Sequence, residues 1–312
     1  MQELAAKLRS RSGLVLLYGT TPPRAGANDD ALRQTAEKLA ERLAPLPLDG
    51  VVVYDIQDES GRASTPRPFA FSGTIDPPIY ARLLTQLSGR ATINYKCVGD
   101  LDEAAWRGWL DGAARDYAVG VLSVVGRPTS GVHHPLALSR AIVLAAAHEA
   151  NFTVGGVVIA ERHSVSRSES ARMLAKSLEG CGYFISQTVY HAHASERLLK
   201  DYLRDCRGAG HEPRRVVLTF APCGRERTMA FLKWLGVRVP AATERAILTA
   251  PNPVAKSIEI CRDNLRRILE HDYFSEIPLG INIESVSINR DEIDASVELF
   301  HVLADVLAER AK

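Results

Sequence analysis

A closed (β/α)8 barrel is the fold class this sequence predicts, and three observations predict it. Eight short runs are apolar without alternation, as strands covered on both faces require. Longer amphipathic patterns separate them. Eight such units fill 312 residues, which matches the count and size of that barrel. A doubly wound open sheet is the competing arrangement, because a count of units alone does not distinguish the two.

The elements follow in order. The runs are 14–18 (L-V-L-L-Y), 51–54 (V-V-V-Y), 91–95 (A-T-I-N-Y), 118–125 (A-V-G-V-L-S-V-V), 154–160 (V-G-G-V-V-I-A), 183–187 (Y-F-I-S-Q), 216–220 (V-V-L-T-F) and 279–288 (L-G-I-N-I-E-S-V-S-I). Helices are expected at 29–44, 77–88, 101–115, 136–150, 167–180, 195–207, 224–235, 254–271 and 291–310. Asp102, Ser195 and Asp291 are the expected N-caps, since a short side-chain oxygen can accept from a first-turn N–H. Gly180, Gly182 and Gly236 stand where helices should stop. The segment 56–76 is polar and holds Gly61, Pro66 and Pro68. It reads as an extended loop after the second strand, at the end of the barrel where functional loops sit. With no internal repeat or low-complexity tract, residues 1–312 read as one domain.

Composition narrows the partners. The chain is 46% hydrophobic and 24% charged with a formal net charge of +1, so it exerts no long-range pull on nucleic acid or an anionic membrane. Its five cysteines are odd in number and form no C-x-x-C, which argues against a disulfide framework or a zinc knuckle. The N-terminal stretch lacks the apolar centre of a signal peptide, and no apolar run is long enough to span a bilayer. A reducing cytoplasm is the expected compartment. Neither G-G-V-V at 155–158 nor G-C-G at 180–182 gives a dinucleotide fingerprint or a P-loop.

In a barrel, the polar groups that follow each strand converge on one face. The sequence offers Thr20 after strand one, and Tyr54, Asp55, Gln57, Asp58 and Glu59 after strand two. Asn94 and Lys96 lie on strand three, and Arg127 follows strand four. Glu161 and His163 close strand five, Gln187, His191 and His193 follow on strand six, and Glu284 ends strand eight. Each has a bland reading: a strand-end glutamate often caps a loop, a histidine often lines a wall, and a mid-helix lysine such as Lys176 is by default solvated. Gln187 is more informative, because a buried amide must find partners and a ligand's polar ring edge could supply them. The H-A-H at 191–193 with Glu161 and His163 keeps a metal-dependent hydrolase open as another reading.

Several stretches together resemble the methylenetetrahydrofolate reductase family. Y-G-T-T-P-P-R (18–24) is similar to its F-E-F-F-P-P, and I-A-E-R-H (159–163) to its Y-P-E-x-H. L-A-K-S-L-E-G-C-G-Y-F-I-S-Q (174–187) is similar to its L-K-x-K-x-x-A-G-A-x-x-x-x-T-Q, the most specific of the matches. G-V-R-V-P (236–240) and S-I-N-R (287–290) follow in family order, so the likeness spreads over nearly the whole chain. The resemblance implies a (β/α)8 barrel that binds tetrahydrofolate in its mouth, with a flavin (FAD) reduced by NAD(P)H passing hydride to the folate. It implies that Gln187 reads the pterin, that Glu161 and His163 line the cofactor mouth as catalytic groups, and that Lys176 and Glu169 meet the flavin's phosphate and ribityl regions. Tyr54, Asn94, Arg127 and Glu284 would complete the substrate-binding wall.

The departures from the pattern carry chemistry of their own. The family's glutamate in F-E-F-F-P-P, the acid that opens the folate ring, is Gly19 here. Glu59, Asp58 or Glu284 is the available substitute. Arg127 stands where a carboxylate is expected, and Asn94 where a histidine is. The inverted charge at Arg127 would favour an anionic ligand group. A flavin-independent reductase and a non-redox folate-dependent one-carbon transfer therefore both stay open. So does assembly into a homo-oligomer.

Overall fold

Gly19 on the first strand pairs with Glu284 on the last, and that contact closes the sheet. In the computed structural model, residues 2–58, 65–126, 134–166, 168–271 and 275–310 are described. The chain runs α1 (Gln2–Arg9), β1 (Val15–Thr20), α2 (Asp29–Leu43), β2 (Gly50–Val53), α3 (Pro77–Ser88), β3 (Thr92–Cys97), α4 (Glu103–Tyr117) and β4 (Val121–Val125). It continues through α5 (Leu138–Ala146), β5 (Thr153–Val158), α6 (Glu169–Glu179), β6 (Tyr183–Thr188), α7 (Ala192–Gly208) and β7 (Arg215–Phe220). It ends with α8 (Glu226–Trp234), α9 (Ala241–Leu248), α10 (Pro253–Leu269), β8 (Leu279–Glu284) and α11 (Arg290–Arg310). All strands pair in parallel with their sequence neighbours, giving the closed order β1-β2-β3-β4-β5-β6-β7-β8. The (β/α)8 reading holds, and the open sheet is excluded.

Period-two burial sorts the strand residues into two layers. Leu17, Val52, Ile93, Tyr95, Tyr183 and Ile185 point into the barrel. Val51, Leu122, Val154, Phe184, Leu218 and Ile281 point out against the helices and form the larger core. The interior is closed at its base by α1, which the sequence reading did not assign. Leu4, Ala5 and Leu8, spaced for one helical face, join the interior cluster. Leu4 sits so close to Gly50 that a Cβ there would lie 2.6 Å from its Cδ2. Arg215, 1% exposed, pins this plug by donating to the carbonyls of Ser10, Ser12, Gly13 and Leu279.

Local signals were mostly read correctly. Asp102 caps α4 by accepting from Ala105 N at 2.8 Å, and Gly180 ends α6 at φ 123°. Two caps need correction. Ser195 lies inside α7 and is buried, because the helix begins earlier, at Ala192. Asp291 falls in the first turn of α11, where it favours the helix dipole without being the cap. The connection from β7 to β8 also carries the unassigned α9 beside α8 and α10. Of the long segment 56–76, residues 65–76 dock across the mouth. Ile75 N bonds Pro23 O and Ala25 N bonds Gly73 O after β1, while Arg227 on α8 donates to Pro68 O and Trp234 to Thr65 O. Arg67 stacks on Phe71, Phe231 and Trp234, with ring centroids 5.0–5.3 Å from its guanidinium carbon.

Candidate functional site

The C-terminal ends of the strands carry a buried polar layer. β8 alternates apolar residues with Gly280, Asn282 and Glu284, all on the interior face. Asn282 Nδ2 donates to the Tyr54 hydroxyl at 2.8 Å and to Thr219 Oγ1 at 3.3 Å. Thr188 Oγ1 donates to Glu284 Oε1 at 2.9 Å, and Tyr54 and Glu284 lie close enough to influence each other's ionisation. Tyr54 packs edge-on against Tyr95 with centroids 4.9 Å apart. Burial dominates the electrostatics here: it raises the Glu284 carboxyl above the usual carboxylate range and pushes both phenols up.

An irregularity in β6 makes the Thr188 contact. Register slips between Ile185 and Thr188, so Thr188, and not Gln187, turns inward opposite Thr219. Ser186 Oγ accepts the hydrogen of Thr219 N at 2.9 Å, replacing the ladder bond that the bulge removes. Such bulges re-aim side chains beside functional sites.

Gly19 is occupied space. A Cβ at residue 19 would lie 2.8 Å from the Tyr54 hydroxyl and 2.9 Å from its ring. The phenol of Tyr54 therefore fills the place where the resemblance expects an acid.

Gln187 and Glu161 meet on a shared segment. Gln187 Nε2 donates to Leu235 O at 2.9 Å, and Glu161 Oε1 accepts from Arg238 N at 3.4 Å. Both side chains are half-buried and hang on residues 235–238, just after α8. Burial raises the Glu161 carboxyl, with the Arg238 amide and charge opposing the rise.

His163 parts from Glu161. Its Nε2 lies 2.7 Å from Asp201 Oδ2 on α7, and Arg197 on the same helix donates to its carbonyl. The expectation that His163 lines the mouth beside Glu161 is thus corrected: two residues of helical turn Ala160–Arg162 are enough to point them at different neighbours. Although burial pushes Asp201 up, the bonds from His163 and Arg204 outweigh it and hold its carboxyl below the ordinary value. A depressed folded pKa contributes stability above the unfolded value, near pH 4, and that contribution is lost as pH falls through the folded one. Asp201→Asn is accordingly expected to flatten the acid limb of a stability-versus-pH curve measured by thermal melting. An unchanged acid limb would count against this anchor.

Other proposed positions lie away from the bowl. Lys176 Nζ donates to Val157 O at 2.8 Å on the helix-facing side of β5, and burial lowers its pKa. Glu169, 3% exposed, accepts from Ile159 N at 3.4 Å and pairs with Arg172. Both side chains are engaged where α6 packs on β5, which does not fit their holding a flavin's phosphate and ribityl chain in the mouth. Asn94, 1% exposed, lies on the opposite face of β3 from Ile93 and Tyr95, so it points toward the helices. Glu59 and Arg127 lie outside the described residues. Glu161, His163, His191 and His193 form no metal-holding group among the described residues.

Sequence reasoning missed Asn282, Thr219, Thr188 and Tyr95. The alternation of polar residues along L-G-I-N-I-E was a usable signal for Asn282. Nothing in Y-F-I-S-Q-T announces the bulge.

No family model and no curated protein matches the chain. Among solved structures, it is similar to an uncharacterized protein from Clostridium thermocellum that binds two copies of 5-methyl-5,6,7,8-tetrahydrofolic acid. The two share 29% sequence identity over 97% of this chain and 99% of that one, with a TM-score of 0.82.

Proposed function

We propose that this chain binds a reduced folate in the barrel mouth and acts on its one-carbon unit. The observation that carries the reading is the likeness, along nearly the full length of both chains, to a barrel that binds 5-methyltetrahydrofolate. The side chains support it. A pterin edge presents alternating donors and acceptors, and Gln187 and Glu161 supply an amide and a carboxyl from one segment of the rim. Tyr54 and Glu284 add a phenol and a carboxyl from the floor.

Within this reading, the family resemblance favours an oxidoreductase of the methylenetetrahydrofolate reductase type, with NAD(P)H as the hydride source. Lys176 and Glu169 are engaged behind β5, so the proposal includes no flavin-dependent step. A specific observation favours a second reading, non-redox one-carbon transfer: Tyr54 closes the Gly19 position, where the reductase pattern has its acid.

Calorimetric titration with 5-methyltetrahydrofolate tests the binding. Gln187→Ala is expected to weaken it by about 1–3 kcal/mol, the cost of an unmade hydrogen bond at a buried site. Unchanged affinity would remove Gln187 from the site, and no binding by the wild type would sink the folate reading. Oxidation of 5-methyltetrahydrofolate by an electron acceptor, present or absent, then separates the redox from the non-redox reading.

A further inference from the structure

We propose that the groove along the outer face of α7 binds an acidic polypeptide segment of a partner protein, whose carboxylates meet Arg197, Lys200 and Arg204. The groove lies outside the barrel mouth, and the proposal does not depend on the folate reading.

The period of the helix sorts its residues into two faces. Leu198, Leu199, Tyr202 and Cys206 are buried in the core. On the opposite side, His193, Arg197, Lys200, Arg204 and Arg207 are exposed, at spacings of four, three, four and three residues. That spacing lays five basic side chains in one row, with neighbours about 5–6 Å apart. At 1.5 Å per residue the row is about 20 Å long. Like charges so placed weaken a helix, and a face that serves solubility alone intersperses the two signs. The formal net charge of the chain is +1, so the row is a local feature and not the background of a basic protein.

The row lines a groove of about 620 Å³, which His271 and Glu276, from the segment after α10, also line. Carboxylates hold its ends. Glu196, 7% exposed, accepts from Arg267 Nε of α10 at 2.6 Å and lies 3.3 Å from His193 Nδ1. Arg207 pairs with Glu276. Arg204 donates to Asp201 at 2.6 Å and to Asp205 at 3.3 Å, but both carboxylates are shared, the first with His163 and the second with Ser170. In the middle of the row the balance fails. Arg197 donates to the His163 carbonyl, and among the described residues neither Arg197 nor Lys200 has a carboxylate partner. Two positive charges on adjacent turns therefore face the groove without a counter-charge.

The length of the row selects the ligand. Carboxylates on one face of a helix recur at the same three- and four-residue spacing, and on alternate residues of an extended chain they recur about every 6.6–6.8 Å. An acidic segment thus sets successive carboxylates against successive cations, whereas one small anion meets about two of them. Leu203, the apolar member of the lining, offers a contact to an apolar side chain carried between the acids. Association through such a row is screened by salt, because its charges are exposed.

The test uses the full-length chain with fluorescein-labelled hexaglutamate as the probe, read by fluorescence anisotropy. With the wild type, the signal should saturate at about 0.01 M salt and vanish near 1 M, as the Debye length falls from about 30 Å to about 3 Å. Lys200→Glu should weaken binding about threefold, and Lys200→Glu combined with Arg197→Glu about tenfold, as expected for exposed pairs turned repulsive. Lys200 makes no contact that the fold needs, so the single variant should melt like the wild type. Lys38→Glu combined with Arg245→Glu, at exposed positions on α2 and α9, changes the net charge as much and should bind the probe like the wild type. No binding by the wild type, or equal weakening in this control pair, overturns the proposal. Binding of inorganic tripolyphosphate in place of the peptide makes the groove a small-anion site and overturns it too. So does a dimer, seen by sedimentation, that Lys200→Glu dissociates, because the occupant is then a second copy of the chain.

Discussion

Arg215→Met is expected to destabilise the barrel by about 3–5 kcal/mol, because several buried carbonyls lose their charged donor together. Arg215 is 1% exposed at the start of β7, and its guanidinium donates to four backbone carbonyls. Three of these belong to Ser10, Ser12 and Gly13 in the link between α1 and β1, and the fourth to Leu279 at the start of β8. Burial lowers its pKa to about 10, so it remains cationic at neutral pH. Methionine keeps much of the aliphatic stem and supplies no donor, so the carbonyls lose partners without a large cavity forming. The α1 plug then loses its tether while keeping the apolar contacts of Leu4 and Leu8. Urea unfolding measures the loss, and proteolysis near residues 10–13 should speed up in parallel. A loss below about 1 kcal/mol would mean that apolar packing alone seats the plug.

Gly155→Ala is the second large effect, expected at about 3 kcal/mol or more. A Cβ at residue 155 would lie 2.2 Å from Tyr183 Cζ and 2.4–2.6 Å from two more ring carbons. The ring cannot move aside cheaply. Tyr183 is fully buried in the interior, and its hydroxyl bonds Ser123 Oγ at 3.0 Å. Its neighbours there include Tyr95, the ring beside Tyr54. Displacing Tyr183 therefore disturbs the interior layer that holds Tyr95, and thermal stability should fall. Gly156→Ala is the control: its Cβ would meet only ordinary contacts, the nearest at 3.4 Å, on the helix-facing side. If the two variants melt alike, the packing account of Gly155 is wrong.

The strands were legible because a buried parallel strand needs an uninterrupted apolar run, and each of the eight runs overlaps an observed strand. The plug helix α1 was overlooked, although Leu4, Ala5 and Leu8 already carry helical spacing. The site was legible in part. Glu161 and Gln187 share a rim segment, as neighbours across β5 and β6 should. His163 does not join them, because a short turn after β5 rotates it toward Asp201. Lys176 and Asn94 were assigned from motif position, which does not report on which side of a strand a side chain lands.

By itself, the sequence determined the number, order and type of the strands and the presence of carboxyl and amide groups at their ends. These are local properties, written in the hydrophobic period and in residue type. Only the tertiary structure decided that Tyr54 fills the void at Gly19, that a bulge turns Thr188 toward Glu284, and that His163 bonds to Asp201 on α7. Closing the barrel brings residues more than 200 positions apart within hydrogen-bonding reach, as with Tyr54 and Asn282. The state of a carboxyl depends on that company and its desolvation, which no window of neighbouring residues contains.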